Sequence, residues 1–439
     1  DMYRFVCLIL LVVAVYGKNE QYDGHSLYEV TVQDVDQSLL LNQIETELGV
    51  DTWSHALPSR PGYVLVPGNQ KQIFEDALTA AGIEHQINVE NIKDLIDEEE
   101  AFMQRSRSKP LPRSVTEGLP FDRIYTYDEI YAYLDNLAAA YPDIVTWSTA
   151  GESFEGRPIK YLKISTTNFE DKNKPIVMME SLLHAREWVT QPATLYAIHK
   201  LVIDVTEQDL LQDIDWIIVP VVNPDGYIHT HNRDRFWRKN RATGYMITNL
   251  CSGVDLNRNF DIFWSQASSS SVCQETFHGR NAFSEPETSA VRDILLEHAD
   301  RVKLFLDIHS FGSMILFGYG TGVLPPNALF LNLVGVRMAS AIDAVKMPYN
   351  NNYIVGNTAM VLYQASGSAQ DYAQSVDVPL AYTFELPGRR GSLNTMLGFL
   401  VNDDFIEQAG FETWEGIKAG ARYYRELNTD AKNSITHKS

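Results

Sequence analysis

The sequence predicts an α/β protein: a mixed, mostly parallel twisted sheet with helices on both faces, preceded by a small α+β open sandwich. Two observations predict it. From about residue 114, four short apolar runs of buried-strand character (175–179, 215–222, 302–308 and 379–384) alternate with stretches of helical apolar spacing. Ahead of them, residues 18–105 hold 17 acidic and 5 basic residues, a balance of −12 within a chain of formal net charge −21. One fifth of the length therefore carries more than half the excess charge, which marks it as a separate unit.

Taken in order, residues 1–17 read as a secretory signal peptide. Arg4 gives a basic start, residues 5–15 form an apolar run, and Val15 and Gly17 are the small residues expected before a cut. The run is too short to span a bilayer. Residues 18–90 follow as the small domain. Strands are expected at 26–32 (SLYEVTV), 62–66 (GYVLV) and 84–89, with helices at 34–48 and 70–81. Residues 91–113 form a connector: a charged helical stretch over 91–105, then basic residues among serines and prolines. Such an exposed segment invites proteolysis. Pro110 protects Lys109, so Arg113 is the favoured bond, with Arg105 and Arg107 as alternatives. Residues 114–439 make the large domain, with helices expected at 127–140, 191–205, 285–298 and 327–345.

Composition narrows the function. With 57 acidic against 36 basic residues, neither nucleic acid nor an anionic membrane is a suitable partner. An aromatic content of 11% speaks against disorder. Three cysteines are too few for a disulfide framework. Once Cys7 leaves with the signal, Cys251 and Cys273 remain, and in an oxidising compartment they are expected to pair.

The chemistry concentrates at strand ends, where open α/β sheets place their sites. His184 and Glu187, spaced i, i+3 after the run 175–179, can point at one centre from a single helical turn. His309 closes the run 302–308 and completes a His₂Glu set, the pattern of catalytic zinc with one position left for water. Arginines and amides gather in 236–239 and 254–259, suited to carboxylate capture. Glu385 ends the run 379–384 and in a metal cleft becomes a candidate general base.

On the motifs HAREW, NPDGY, FWRKNR, VDLNRNF, DIHSF, YQASG and YTFEL, in that order, the chain from about Ile124 onward resembles the zinc metallocarboxypeptidases of the pancreatic A/B type. The signal-plus-prosegment layout is similar to that of the family's secreted zymogens. The resemblance implies one Zn²⁺ held by His184, Glu187 and His309, with Asp255 orienting His184. It implies attack by a zinc-bound water with Glu385 as general base and Arg238 stabilising the oxyanion. Asn257, Arg258 and Tyr363 would bind the terminal carboxylate of a peptide or protein substrate, Arg186 would contact upstream residues, and Arg235 would assist the carboxylate's approach.

The family's specificity position falls on Gln370, with Gly320, Thr358, Ser368 and Thr383 at other pocket positions. None is charged, which favours A-like cleavage of aliphatic and aromatic ends with tolerance of polar ones over B-like cleavage of Lys and Arg. The resemblance further implies an inhibitory prosegment released by a trypsin-like protease, proteinaceous carboxypeptidase inhibitors as partners, a monomer, and secretion to a digestive lumen. The competing readings are a related zinc amidohydrolase and an inactive carboxypeptidase-like binding protein.

Overall fold

The computed structural model describes residues 17–248 and 250–436, so residues 1–16 of the expected signal peptide lie outside the described residues. The small domain runs β1 (Ser26–Thr31), α1 (Val35–Leu48), β2 (Asp51–Ser54), β3 (Gly62–Val66), α2 (Lys71–Ala80), β4 (Glu84–Val89) and then α3 (Ile92–Ser108). Its antiparallel sheet has the order β2-β3-β1-β4. α1 begins where the Asp34 side chain accepts from Gln37 N–H and ends at Gly49, whose φ of 64° suits a residue without Cβ. Tyr28, Val30, Val64 and Val66 pack with Leu41, Phe74 and Leu78 of the two helices. Leu27, Trp53, Tyr63 and Leu65 cluster instead with Phe236, Phe311 and Phe399 of the large domain. This is the open sandwich that the sequence predicts, closed by the large domain.

β2 was not expected. DTWS is short and polar, and only its antiparallel pairing to β3 makes it a strand. α3 also runs three residues past the helical stretch expected from the charge pattern, to Ser108.

The large domain opens with α4 (Tyr127–Ala140), started by a capping box between Thr126 and Glu129. β5 (Val145–Glu152), β6 (Pro158–Ile164), β7 (Ile176–Ser181), α5 (Thr190–Val202), β8 (Asp215–Val219), β9 (Val302–Ser310), β10 (Met314–Phe317), β11 (Ile354–Asn357) and β12 (Leu380–Leu386) follow. Eight strands lie in the order β11-β10-β12-β9-β7-β8-β6-β5. The central β12, β9, β7 and β8 run parallel and are the four expected from their apolar runs. β5, β6 and β10 add antiparallel pairings at the flanks, and β11 is parallel to β10. β5 and β6 are only partly buried and leave no continuous apolar run, whereas the buried β10 is an apolar run of just four residues.

Helices cover both faces. On one, Leu134, Ile198, Met338 and Trp414 join a single core; on the other, Val291 and Tyr372 pack over Ile176 and Phe305. The helix Asp403–Thr436 extends the architecture beyond the four helices expected in this domain. No helix among the described residues is long and apolar enough to cross a membrane.

Candidate active site

The parallel strands deliver the site. β7 ends at Ser181, Leu182 turns the chain at φ 58°, and His184 and Glu187 follow. The pair lies on an irregular turn ahead of α5, which starts only at Thr190, and not on the helical turn expected from its spacing. In β9 and β12 the in-register neighbours are His309 and Glu385, so sheet pairing alone sets the general-base candidate beside a ligand candidate.

His184, Glu187 and His309 are all buried, and one ligand atom from each lies within 4.8 Å of the others. His184 Nδ1 is 2.8 Å from Glu187 Oε1, and His309 Nδ1 is 2.9 Å from Glu187 Oε2. Both imidazoles thus turn the same nitrogen toward one carboxylate. The far nitrogens are held by carboxylates: His184 Nε2 lies 2.9 Å from Asp255 Oδ1, and His309 Nε2 lies 2.6 Å from Asp307 Oδ1. Two imidazoles fixed from behind and one carboxylate form a donor set that fits zinc.

Electrostatics follow from burial and these pairings. Against the desolvation of burial, His184 and His309 hold the Glu187 carboxyl well below the usual carboxylate range. Asp255 is likewise desolvated, yet Arg238 and His184 hold it well below that range. Arg238 Nη2 donates to Asp255 Oδ2 at 2.9 Å. Burial and then the charge of Glu187 push Glu385 up to about 8.

One cleft gathers Arg186, Arg238, Asn257, Arg258, Tyr363 and Glu385 with the three ligand candidates, and Thr358, Ser368, Gln370 and Thr383 line it too. Arg258 Nη2 donates to Tyr363 Oη at 2.8 Å. Asn257 donates to Asp307 Oδ2 at 3.0 Å and accepts from Ala369 N at 2.7 Å. Gly320 is absent from the cleft lining and donates its N–H to Asp371 at 2.7 Å. Cys251 and Cys273 are disulfide-bonded, and Cys273 stands at the cleft wall.

Arg235 is placed elsewhere. It is 1% exposed, absent from the cleft lining, and held by Glu99 of α3 through Nε at 2.5 Å and Nη2 at 3.2 Å. Its expected role in guiding a substrate carboxylate gives way, in this form of the chain, to an ion pair between the two domains. A buried guanidinium stripped of its partner costs about 3–5 kcal/mol. Glu99→Ala is therefore expected to lower the stability of the intact chain by about 3 kcal/mol in denaturant titration; an unchanged midpoint would refute the assignment.

The connector sorts its three candidate bonds. Arg105 and Arg107 lie in the last turns of α3, whereas Arg113 is exposed beyond it. A protease needs an extended segment, so the geometry favours Arg113.

Two features of the site escaped the sequence. Asp307 sits two residues before His309 on β9 and so shares its face; the i, i+2 spacing was the signal that could have found it. The second is which residues of the inhibitory prosegment reach into the cleft. Asp51 accepts from Arg186 Nη1 at 2.8 Å, and the His55 ring lies 4.4 Å from that of Tyr363. Burial, then Arg258, Arg238 and Arg60, push His55 down to about 4, so it stands there neutral.

Comparison with known proteins agrees with this arrangement. The family model for zinc carboxypeptidase matches residues 130–416, and that for the carboxypeptidase activation peptide matches residues 28–99. A carboxypeptidase B of Helicoverpa zea is 45% identical over 97% of this chain and 99% of its own length. Bovine carboxypeptidase A1 is 34% identical over 95% and 97%. The crystal structure of carboxypeptidase A from Helicoverpa armigera, 60% identical, superposes with a TM-score of 0.89, covering 91% of this chain and 97% of that one.

Proposed function

The chain belongs to the zinc carboxypeptidase family and carries its activation peptide, and from that premise we propose that it is a secreted zymogen whose cut form removes aliphatic and aromatic residues from peptide C-termini, with tolerance of polar ones. Zn²⁺ held by His184, Glu187 and His309 supplies Lewis acidity, which makes water a nucleophile near neutral pH and polarises a carbonyl.

The other roles belong to side chains. Glu385, desolvated and basic, takes the water's proton and returns it to the leaving nitrogen. Arg238, kept cationic by Asp255, stabilises the oxyanion as it develops. Arg258 and Tyr363, already joined by a hydrogen bond, and Asn257 beside them anchor the terminal carboxylate, so only the last residue is removed. Arg186 is released from Asp51 to hold residues upstream. A trypsin-like cut at Arg113 separates residues 18–113 from the catalytic domain, and a proteinaceous inhibitor would fill the same cleft. A digestive lumen is the setting that the reading favours.

The observation that carries the preference is Gln370, a neutral and 2% exposed residue in the cleft lining. A neutral amide cannot pair with a buried cation as a carboxylate does. The second reading, B-like specificity for Lys and Arg, has in its favour the carboxypeptidase B relative. Steady-state kcat/KM after trypsin cutting, on peptides differing only in the last residue, decides between them. Phe and Leu ends are expected to lead, and a chelator to abolish turnover. Lys or Arg ends cleaved at least about tenfold better than Leu or Phe would overturn the preference, and chelator-insensitive activity would overturn the mechanism.

A further inference from the structure

Gln370 does more than leave the cleft uncharged. Its Nε2 donates to Thr358 Oγ1 at 2.9 Å and to Asp371 Oδ1 at 3.0 Å. A carboxylate oxygen only accepts, so the NH₂ end of the amide must be the one facing Asp371. Both amide hydrogens are thereby used. Oε1, the other end, is buried and has no partner among the described residues. A buried acceptor left unsatisfied is costly, and a donor brought by a ligand relieves that cost.

The neighbouring hydroxyls reinforce the bias. Thr358 Oγ1 donates to Phe317 O at 3.3 Å, and Thr383 Oγ1 donates to Asp307 Oδ2 at 3.4 Å. Their hydrogens are committed, so toward a ligand these groups offer lone pairs. Ser368 Oγ accepts from Asp371 N, and its own hydrogen goes to the Asp371 carboxylate. Asp371 has both oxygens engaged, by Gln370 and by Gly320 N–H. Fully buried and absent from the cleft lining, it presents no exposed charge to a ligand. An unpaired amide oxygen, hydroxyl lone pairs and no exposed charge complement a neutral group that can donate, as a carboxamide NH₂ does.

We propose that this pocket selects neutral carboxamides, so that the cut enzyme removes C-terminal asparagine and glutamine alongside apolar residues and rejects the isosteric aspartate and glutamate. The proposal rests on the exopeptidase reading above and concerns the same cleft. An aspartate or glutamate side chain would bring its charge against Gln370 Oε1 with no hydrogen to donate. An apolar side chain loses nothing by charge but leaves Oε1 unsatisfied.

The test uses the zinc-loaded, trypsin-cut protein and peptides that differ only in a near-isosteric last residue: Leu, Asn and Asp, then Met, Gln and Glu. The expected kcat/KM for Asn exceeds that for Asp by at least about a hundredfold, the penalty of leaving a site's buried polar group unpaired and facing a charge. Gln370→Met is expected to lower the Asn-to-Leu ratio about tenfold, the loss of one satisfied buried hydrogen bond. Asn and Asp ends equally poor beside Leu would overturn the proposal, as would an unchanged Asn-to-Leu ratio in Gln370→Met. Should that variant fail to fold, the Asn-to-Asp comparison on the unmodified protein still decides. No turnover of any peptide, Leu included, would overturn the exopeptidase reading itself and this one with it.

Discussion

Glu385→Gln is expected to lower kcat of the cut enzyme about a thousandfold, within the range a positioned general base contributes. The substitution keeps the shape of the side chain and removes its ability to take a proton. Glu385 is half-buried and in register with His309, so the amide fits the same space. The zinc content of the variant should stay at one per chain, which separates lost chemistry from a lost site. The pH profile gives a second readout. The base must be ionised to act, so the rate falls as pH drops through its pKa. Burial and the Glu187 charge set that value at about 8 without metal, and a dication beside it draws it lower. The acid limb should vanish in the variant. A kcat within about tenfold of the parent would remove Glu385 from the role.

The intact chain is expected to hydrolyse peptides at least about a hundredfold more slowly than the cut one, because only the fraction of molecules with an open cleft can bind substrate. The contacts argue for a small fraction. Trp53 lies 4.7 Å from Phe236 and 5.2 Å from Phe399, centroid to centroid, while Asp51 occupies Arg186 and His55 lies against Tyr363. Arg186 and Tyr363, two of the groups that would meet a peptide, are thus engaged by the small domain. Time courses of peptide hydrolysis with and without trypsin measure the ratio. Equal rates before and after cutting would show that the small domain does not inhibit.

Much of this was legible in the sequence for a physical reason. Strands buried on both faces, such as β7, β9 and β12, are mostly apolar, and His309 and Glu385 announce themselves as polar residues near the ends of such runs. The flanking strands β5 and β6 face solvent in part and give no such run. β2 takes its shape from its partner strand, which no local pattern records. The ligand set was readable as chemistry, but the i, i+3 spacing suggested a helical turn where the chain makes an irregular one. Arg235 directly precedes the motif FWRKNR, yet its partner Glu99 is far away in sequence, and only folding brings them together.

That ion pair changes what cutting accomplishes. α3 ends at Ser108, and Glu99 lies well inside it, so hydrolysis after Arg113 severs the backbone while every contact of the helix stays in place. The released piece is then an ordinary inhibitor with a dissociation constant of its own. Tethered, it is present at an effective concentration fixed by the linker; severed, it answers to mass action. The onset of activity should accordingly depend on dilution, and a concentrated solution would switch on later than the same molecules spread through a larger volume.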